Sequence, residues 1–221
     1  MTFISKLRSK GMITEFVNMF VFDSCNLQNV NSDVLMWSLA AMRAYQAYND
    51  QSLFDLAVAG WDTANAYFIT PNNAETGTHP TRNVTFTGAC QGASTAGGVF
   101  VNANNTRDAP TNTLVNGPTV CTFLALSARL LERTGDPRYR TAVELSAQFI
   151  KSHLYNGVLI LDTITLSDCN LKNTNQVFTY NTGYFLEGLS IYVNVTGNDS
   201  WSAFLYQHKI YRMGTFKRSD L

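Results

Sequence analysis

Charge is scarce in this chain. Asp, Glu, Lys and Arg make up 14% of its 221 residues, 16 of each sign, for a net charge of zero. A nucleic-acid partner needs clustered Lys and Arg against phosphate, so that class is excluded. The three histidines, His79, His153 and His208, are scattered. No Cys/His spacing suits zinc, no Ser/His/Asp set is visible, and Gly97-Gly98 is not a phosphate loop. No metal or cofactor is therefore expected. No apolar run is long enough to cross a bilayer. Lys6, Arg8 and Lys10 precede an apolar stretch from Met12 to Phe22, but Glu15 and Asn18 interrupt it, which makes a poor secretory signal.

There are four cysteines. Cys121 lies in a strongly apolar segment and reads as a buried free thiol. Cys90 and Cys169 lie in long polar stretches. They read either as a disulfide or as two unpaired loop thiols, depending on compartment. Asn, Thr and Ser dominate the loops, and four N-glycosylation sequons begin at Asn83, Asn104, Asn194 and Asn198. With the low charge they point to an extracellular, secreted or cell-wall glycoprotein. The start of the chain does not look secreted, and an altered or missing natural N-terminus would reconcile the two.

What is present in quantity is a repeated phrase: apolar helix, tight break, second helix. The breaks are Asn49-Asp50-Gln51, Thr134-Gly135-Asp136-Pro137 and Thr196-Gly197-Asn198-Asp199. Residues 34–48, 119–131 and 180–194 carry a single charge each, Arg43, Arg129 and Glu187. Helices so apolar are buried on most sides. The segments that follow are amphipathic: Leu53, Leu56, Ala57, Trp61, Ala64 and Phe68 form one stripe, and Tyr139, Ala142, Val143, Ser146, Phe149 and Ile150 form another. Asp136-Pro137 is an N-cap followed by proline at the first helical position, and Asn198 or Asp199 can cap the last helix. Inner, buried helices alternating with outer ones predict an all-α fold, an α/α toroid of helix pairs. Segments 97–101 and 158–166 read as short extended hairpins inside long loops.

The inner-to-outer breaks are short. The outer-to-inner connections, about 70–117 and 156–179, are long. In an antiparallel array the long loops share one face with the N-termini of the inner helices, near Asp33, Thr119 and Asn181. Long loops in compact domains carry function, so the cleft is expected there. Asp33 is the candidate catalytic carboxylate, and helix capping by Ser32 and Asp33 is the plain alternative. Asn31, Trp37, Gly97, Gly98, Phe100, Tyr180 and Asn181 are candidate binding residues. For Tyr180 and Asn181 the competing reading is capping and packing; for Phe100 and Trp37 it is core packing, favoured for Trp37.

Four stretches resemble glycoside hydrolase family 76, the α-1,6-mannanases and related cell-wall transglycosidases. They are Ser32-Asp33-Val34-Leu35-Met36-Trp37-Ser38-Leu39-Ala40, Gly97-Gly98-Val99-Phe100, the run from Leu126 to Asp136, and Thr179-Tyr180-Asn181-Thr182-Gly183. Their order and spacing match over about residues 30–205. The resemblance implies an (α/α)6 barrel, α-mannan as polysaccharide substrate, and either hydrolysis of α-1,6 bonds with retention or transfer of mannan to another glycan. It also implies a catalytic pair of adjacent aspartates at the head of the first inner helix. Asp33 matches the second, the acid/base. Ser32 stands where the first, the nucleophile, would be. The aromatic pair after it is reduced to Met36-Trp37, and Val101 replaces a tryptophan that often follows the Gly-Gly.

Serine replaces neither carboxylate without an activating base. A second carboxylate would have to come from Glu75, Asp108, Asp162 or Asp168, none with motif support. The alternatives are therefore a mannan-cleaving enzyme, a non-catalytic mannan-binding homologue, or a structural fragment. A different α/α-toroid enzyme has no motif here. Six or seven of twelve barrel helices are counted. Residues 1–30 read as an atypical N-terminal segment, 31–205 as a partial barrel domain, and 206–221 as an atypical tail. The sequence leaves the oligomeric state open.

Overall fold

A computed structural model describes residues 30–103, 113–172 and 178–215, with side chains as far as residue 207. Among them are seven α-helices: α1 (Asn31–Tyr48), α2 (Gln51–Asn65), the short α3 (Pro71–Thr76), α4 (Gly117–Thr134), α5 (Pro137–Phe149), α6 (Thr179–Thr196) and α7 (Asp199–Thr215). A single π-helical turn, Ile150–Leu154, extends α5. The expected toroidal layering is present: α1, α4 and α6 stand side by side with α4 in the middle, and α2, α5 and α7 pack outside them. The last helix runs straight through the expected boundary at 205–206.

One stereochemical device makes all three tight breaks. Asn49, Gly135 and Gly197 take left-handed backbones (φ 52, 70 and 65°), and their N–H groups bond to Tyr45, Leu131 and Val193 carbonyls. This is the αL helix stop that glycine or asparagine tolerates best. The next residue then starts the following helix. Asp50 accepts from the Ser52 N–H, Asp136 from the Arg138 N–H, and Asn198 from the Trp201 N–H. Stop and start occupy consecutive residues, so the two helices must fold back on each other.

The core lies between the two helical layers. Trp61 of α2 stacks on Phe123 of α4 (centroids 5.4 Å apart) and meets the edge of Tyr139 of α5 at 4.8 Å. Its indole N–H donates to Ser127 Oγ at 2.7 Å, so the buried polar atoms of this pair are satisfied. Each fully buried aromatic or leucine contributes about 1.5–3 kcal/mol. Close packing of α4 on α6 depends on Gly188, where a Cβ would lie 2.3 Å from Leu124 Cδ2 and 2.7 Å from Ala125 Cα. Cys121 is buried and unbonded, as expected.

The long loops are not plain hairpins. Two small two-stranded ladders, β1 (Thr78–His79) with β2 (Arg82–Thr85) and β3 (Ala89–Cys90) with β4 (Ala93–Ser94), lie in the first loop. The second loop supplies β6 (Thr163–Thr165), which pairs with β7 (Asn170–Lys172) and also with β5 (Leu114–Asn116) of the first loop. Segment 97–101 makes single bridges, Phe68 to Val99 and Phe100 to Val115. The expected local hairpins are thus corrected to a three-stranded sheet shared by both loops. Backbone pairing across loops satisfies polar groups that neither loop satisfies alone. A disulfide between Cys90 and Cys169 ties the same two loops.

Candidate glycan cleft

The N-termini of α1, α4 and α6 open on the long-loop face. Only α4 has a side-chain cap: Asn116 Oδ1 accepts from the Thr119 N–H at 3.0 Å. The residues before α1 and α6 are Val30 and Phe178, and neither helix has a capping hydrogen bond from a side chain. Ser32, Asp33, Tyr180 and Asn181 therefore make no side-chain capping bond, although Asp33 stands in the first turn of α1, where the helix dipole favours a carboxylate. Ser32 instead directs its hydroxyl at Asp33 Oδ1, 3.5 Å away.

Asp33 is partly exposed. One turn later Met36 and Trp37 are 41% and 40% exposed. Positions 33, 36 and 37 share one helical face. Across from it, α6 presents Tyr180, 42% exposed, and Tyr184, with Phe178 stacked on Tyr180. Burial, together with the neighbouring Asp162 carboxylate, raises the Tyr180 phenol above its ordinary pKa. Exposed aromatic side chains of α1 and α6 thus accompany the Asp33 carboxylate where these inner helices begin.

Arg43 of α1, Arg129 of α4 and Glu187 of α6 meet further along the three inner helices. Glu187 of α6 pairs with Arg43 of α1 at 2.5 Å and with Arg129 of α4, and Arg129 also donates to Gln46 Oε1 at 2.8 Å. Arg43 lies over the Tyr184 ring at 6.0 Å. Arg43 is ten residues beyond Asp33, which places this ionic cluster about 15 Å further along α1. Sequence reading found each charge but not their convergence.

The other expected contacts lie beneath the surface. Asn31 and Asn181 are completely buried. Asn31 Nδ2 donates to the Phe100 carbonyl at 2.7 Å. The Asn181 amide faces Gly117, where a Cβ would sit 2.5 Å from Nδ2. Gly97, Gly98 and Phe100, expected as sugar contacts, are buried under the first loop. A Cβ on Gly97 would strike the Leu145 carbonyl at 2.0 Å, and one on Gly98 would crowd Phe149. Phe100 packs on His79 and Phe86 beneath the Arg82 guanidinium. These three fasten the loop to the helical layer; the direct role expected of Gly97 and Gly98 is corrected to packing, and for Phe100 the packing alternative is the one realised.

Glu75 borders a separate open hollow of about 660 Å³ formed by α3 and the β3–β4 turn. Asp168 is exposed in its turn, where the Asn170 amide holds its carboxyl below the usual range. Asn104 and Asp108 lie outside the described residues. Of the remaining sequon residues, Asn83 and Asn194 are exposed, and Asn198 is partly exposed while capping α7. No cluster of three metal-ligating side chains, and no helix long and apolar enough to cross a membrane, occurs among the described residues.

Residues 83–209 match the model of glycosyl hydrolase family 76, more than half of the chain. The chain belongs to that family. This family-76 chain is also similar in fold to solved structures. An inactive variant of the α-1,6-mannanase of Salegentibacter sp. HEL1_6, in complex with α-1,6-mannotetrose, matches with a TM-score of 0.61 and 15% identity over 81% of this chain and 45% of that one. The α-mannanase BT2949 of Bacteroides thetaiotaomicron gives 0.62 and 13% identity over 81% and 42%. Dfg5 from Chaetomium thermophilum, in complex with glucosamine, gives 0.57 and 18% identity over 80% and 40%. The chain spans less than half the length of each. No curated protein sequence matches it.

Proposed function

We propose that this family-76 chain acts on α-1,6-linked mannan and that Asp33 is the proton donor to the glycosidic oxygen. One observation carries the reading: a partly exposed carboxylate stands in the first turn of α1, one turn before the exposed Trp37, on the face where the inner helices begin and α6 exposes Tyr180. Aromatic faces pack against sugar CH groups, and a carboxyl group is the general acid such a bond requires. The mannan-oligosaccharide complex of a related fold supports the substrate class. We place the protein outside the cell or in the cell wall, supported by its disulfide and by the exposed sequon residues Asn83 and Asn194.

The test is release of oligosaccharides from linear α-1,6-mannan. Asp33→Asn should lower kcat by about 100-fold or more, the usual worth of a positioned acid, at unchanged Tm. Equal rates for the two proteins would sink the assignment. Ser32 favours a second reading, a mannan-binding homologue without turnover. Calorimetry with α-1,6-manno-oligosaccharides separates it: binding without release establishes that reading.

A further inference from the structure

An inner helix of a helix-pair toroid is covered on most sides, and α4 is: every residue from Thr119 to Ala128 is buried. The inner helix α6 is as poor in charge but less covered. It packs against α4, α5 and α7. Along its remaining side Thr179, Tyr180, Gly183, Ser190, Asn194 and Val195 are exposed, and Tyr184, Glu187 and Ile191 are half-buried. These positions recur at three- and four-residue intervals, so they form one face along the whole helix. A Cβ added at Gly183 would meet nothing within 4 Å. Glu187 is the sole charged residue of α6, and Arg43 and Arg129 hold it. The face thus presents Tyr184, Ile191 and Val195 with no free charge among them. An uncovered apolar strip of this kind marks a contact surface or an aggregation liability.

Asn194 stands on the same face, one turn beyond Ile191 and beside Val195, and opens the sequon Asn194-Val195-Thr196. Asn198, which opens the next sequon, is taken up as the cap of α7, its Oδ1 accepting from the Trp201 N–H at 3.1 Å. Resting on the extracellular placement above, we propose that Asn194 carries an N-linked glycan, and that this glycan covers the C-terminal half of the open α6 face and keeps copies of the chain from associating through it. The donor is an oligosaccharide on a lipid diphosphate. Asn194 Nδ2 bonds to the anomeric carbon of its first sugar. The bond from that carbon to the diphosphate oxygen breaks with its electron pair on the diphosphate, and the amide gives up one proton. The sugar is bulky and solubilising. Asn194 is fourteen residues beyond Tyr180, about 21 Å along α6, so a glycan there leaves the long-loop face open.

The deciding experiment secretes the unaltered chain from a yeast host and maps its modified asparagines by peptide mass spectrometry. Sedimentation velocity is run before and after enzymatic removal of N-glycans. A glycan at Asn194 is expected, on a monomer that forms dimers or larger species once the sugar is removed. Asn194→Gln and Thr196→Val both break the sequon and should associate in the same way, although each keeps the sequon at Asn83. Thr196→Ser keeps the sequon and should keep both glycan and monomer. An unmodified Asn194, or a deglycosylated chain that stays monomeric, overturns the proposal. Sugar is removed from the already folded chain, so that readout stands even where a variant fails to fold. Fractionation of the cells that make the protein tests its placement, and a chain found inside the cell overturns both. Mannan enters none of these measurements: an unmodified Asn194 leaves mannan cleavage standing, and a chain inert toward mannan leaves the glycan.

Discussion

At the scale of single residues, position 117 decides most. Gly117 begins α4, donates its N–H to Asp162 and leaves room for the Asn181 amide. Gly117→Ala places a Cβ 2.5 Å from Asn181 Nδ2, so either that side chain or the head of α4 must shift. Overpacking of this kind costs about 1–3 kcal/mol. Chemical denaturation should show that loss, and mannan release should fall by more than stability alone explains. Cys121 carries no such weight: burial pushes its thiol up, away from the reactive thiolate.

At the scale of elements, the helix pairs stand on their stops and the loops on their anchors. Gly135 holds φ 70°, so Gly135→Ala should cost about 1 kcal/mol, checked by the urea midpoint. The loop anchors include two buried histidines. His79 Nε2 meets the Phe68 carbonyl at 3.1 Å, and His153 Nε2 meets that of Ser94 at 2.9 Å. Burial lowers both pKa values below the ordinary 6.5. The unfolded chain then binds protons that the folded chain refuses, so stability is full above about pH 6.5 and drains as pH falls below it. Tm should drop between pH 7.5 and 5, and drop less in a variant carrying His79→Gln and His153→Gln. An equal drop would show that the histidines do not carry it.

At the scale of the whole molecule, cross-links between distant segments hold the cleft in shape. The disulfide closes a separation of 79 residues, for which the chain-entropy model gives about 4–5 kcal/mol. Reduction should lower Tm by roughly 10 °C. Since the disulfide ties the two loops that share the β5–β6 pairing, mannan release should fall below the melting range as well. The Arg43–Glu187–Arg129 cluster acts similarly between three helices. Each charge looks isolated on its own helix, and only the packing of α1 and α6 on either side of α4 makes them partners.

The sequence by itself determined the helix pairs, because their stops, caps and apolar stripes are interactions between residues a few positions apart. It also determined which face opens: short links on one side force long loops and inner-helix N-termini to the other. Asp33, Trp37 and Tyr180 were proposed on that basis, and the structure leaves all three at least partly exposed. Tertiary structure alone decided the rest. Gly97, Gly98 and Phe100 look like site residues in the sequence, but what surrounds them is α5 and the first loop, some fifty residues away at Leu145 and Phe149. Asp162 looks like any loop aspartate until β6 crosses to pair with β5 and sets it at the head of α4. Such placement rests on contacts between segments far apart in the chain, for which no local pattern of residues is required.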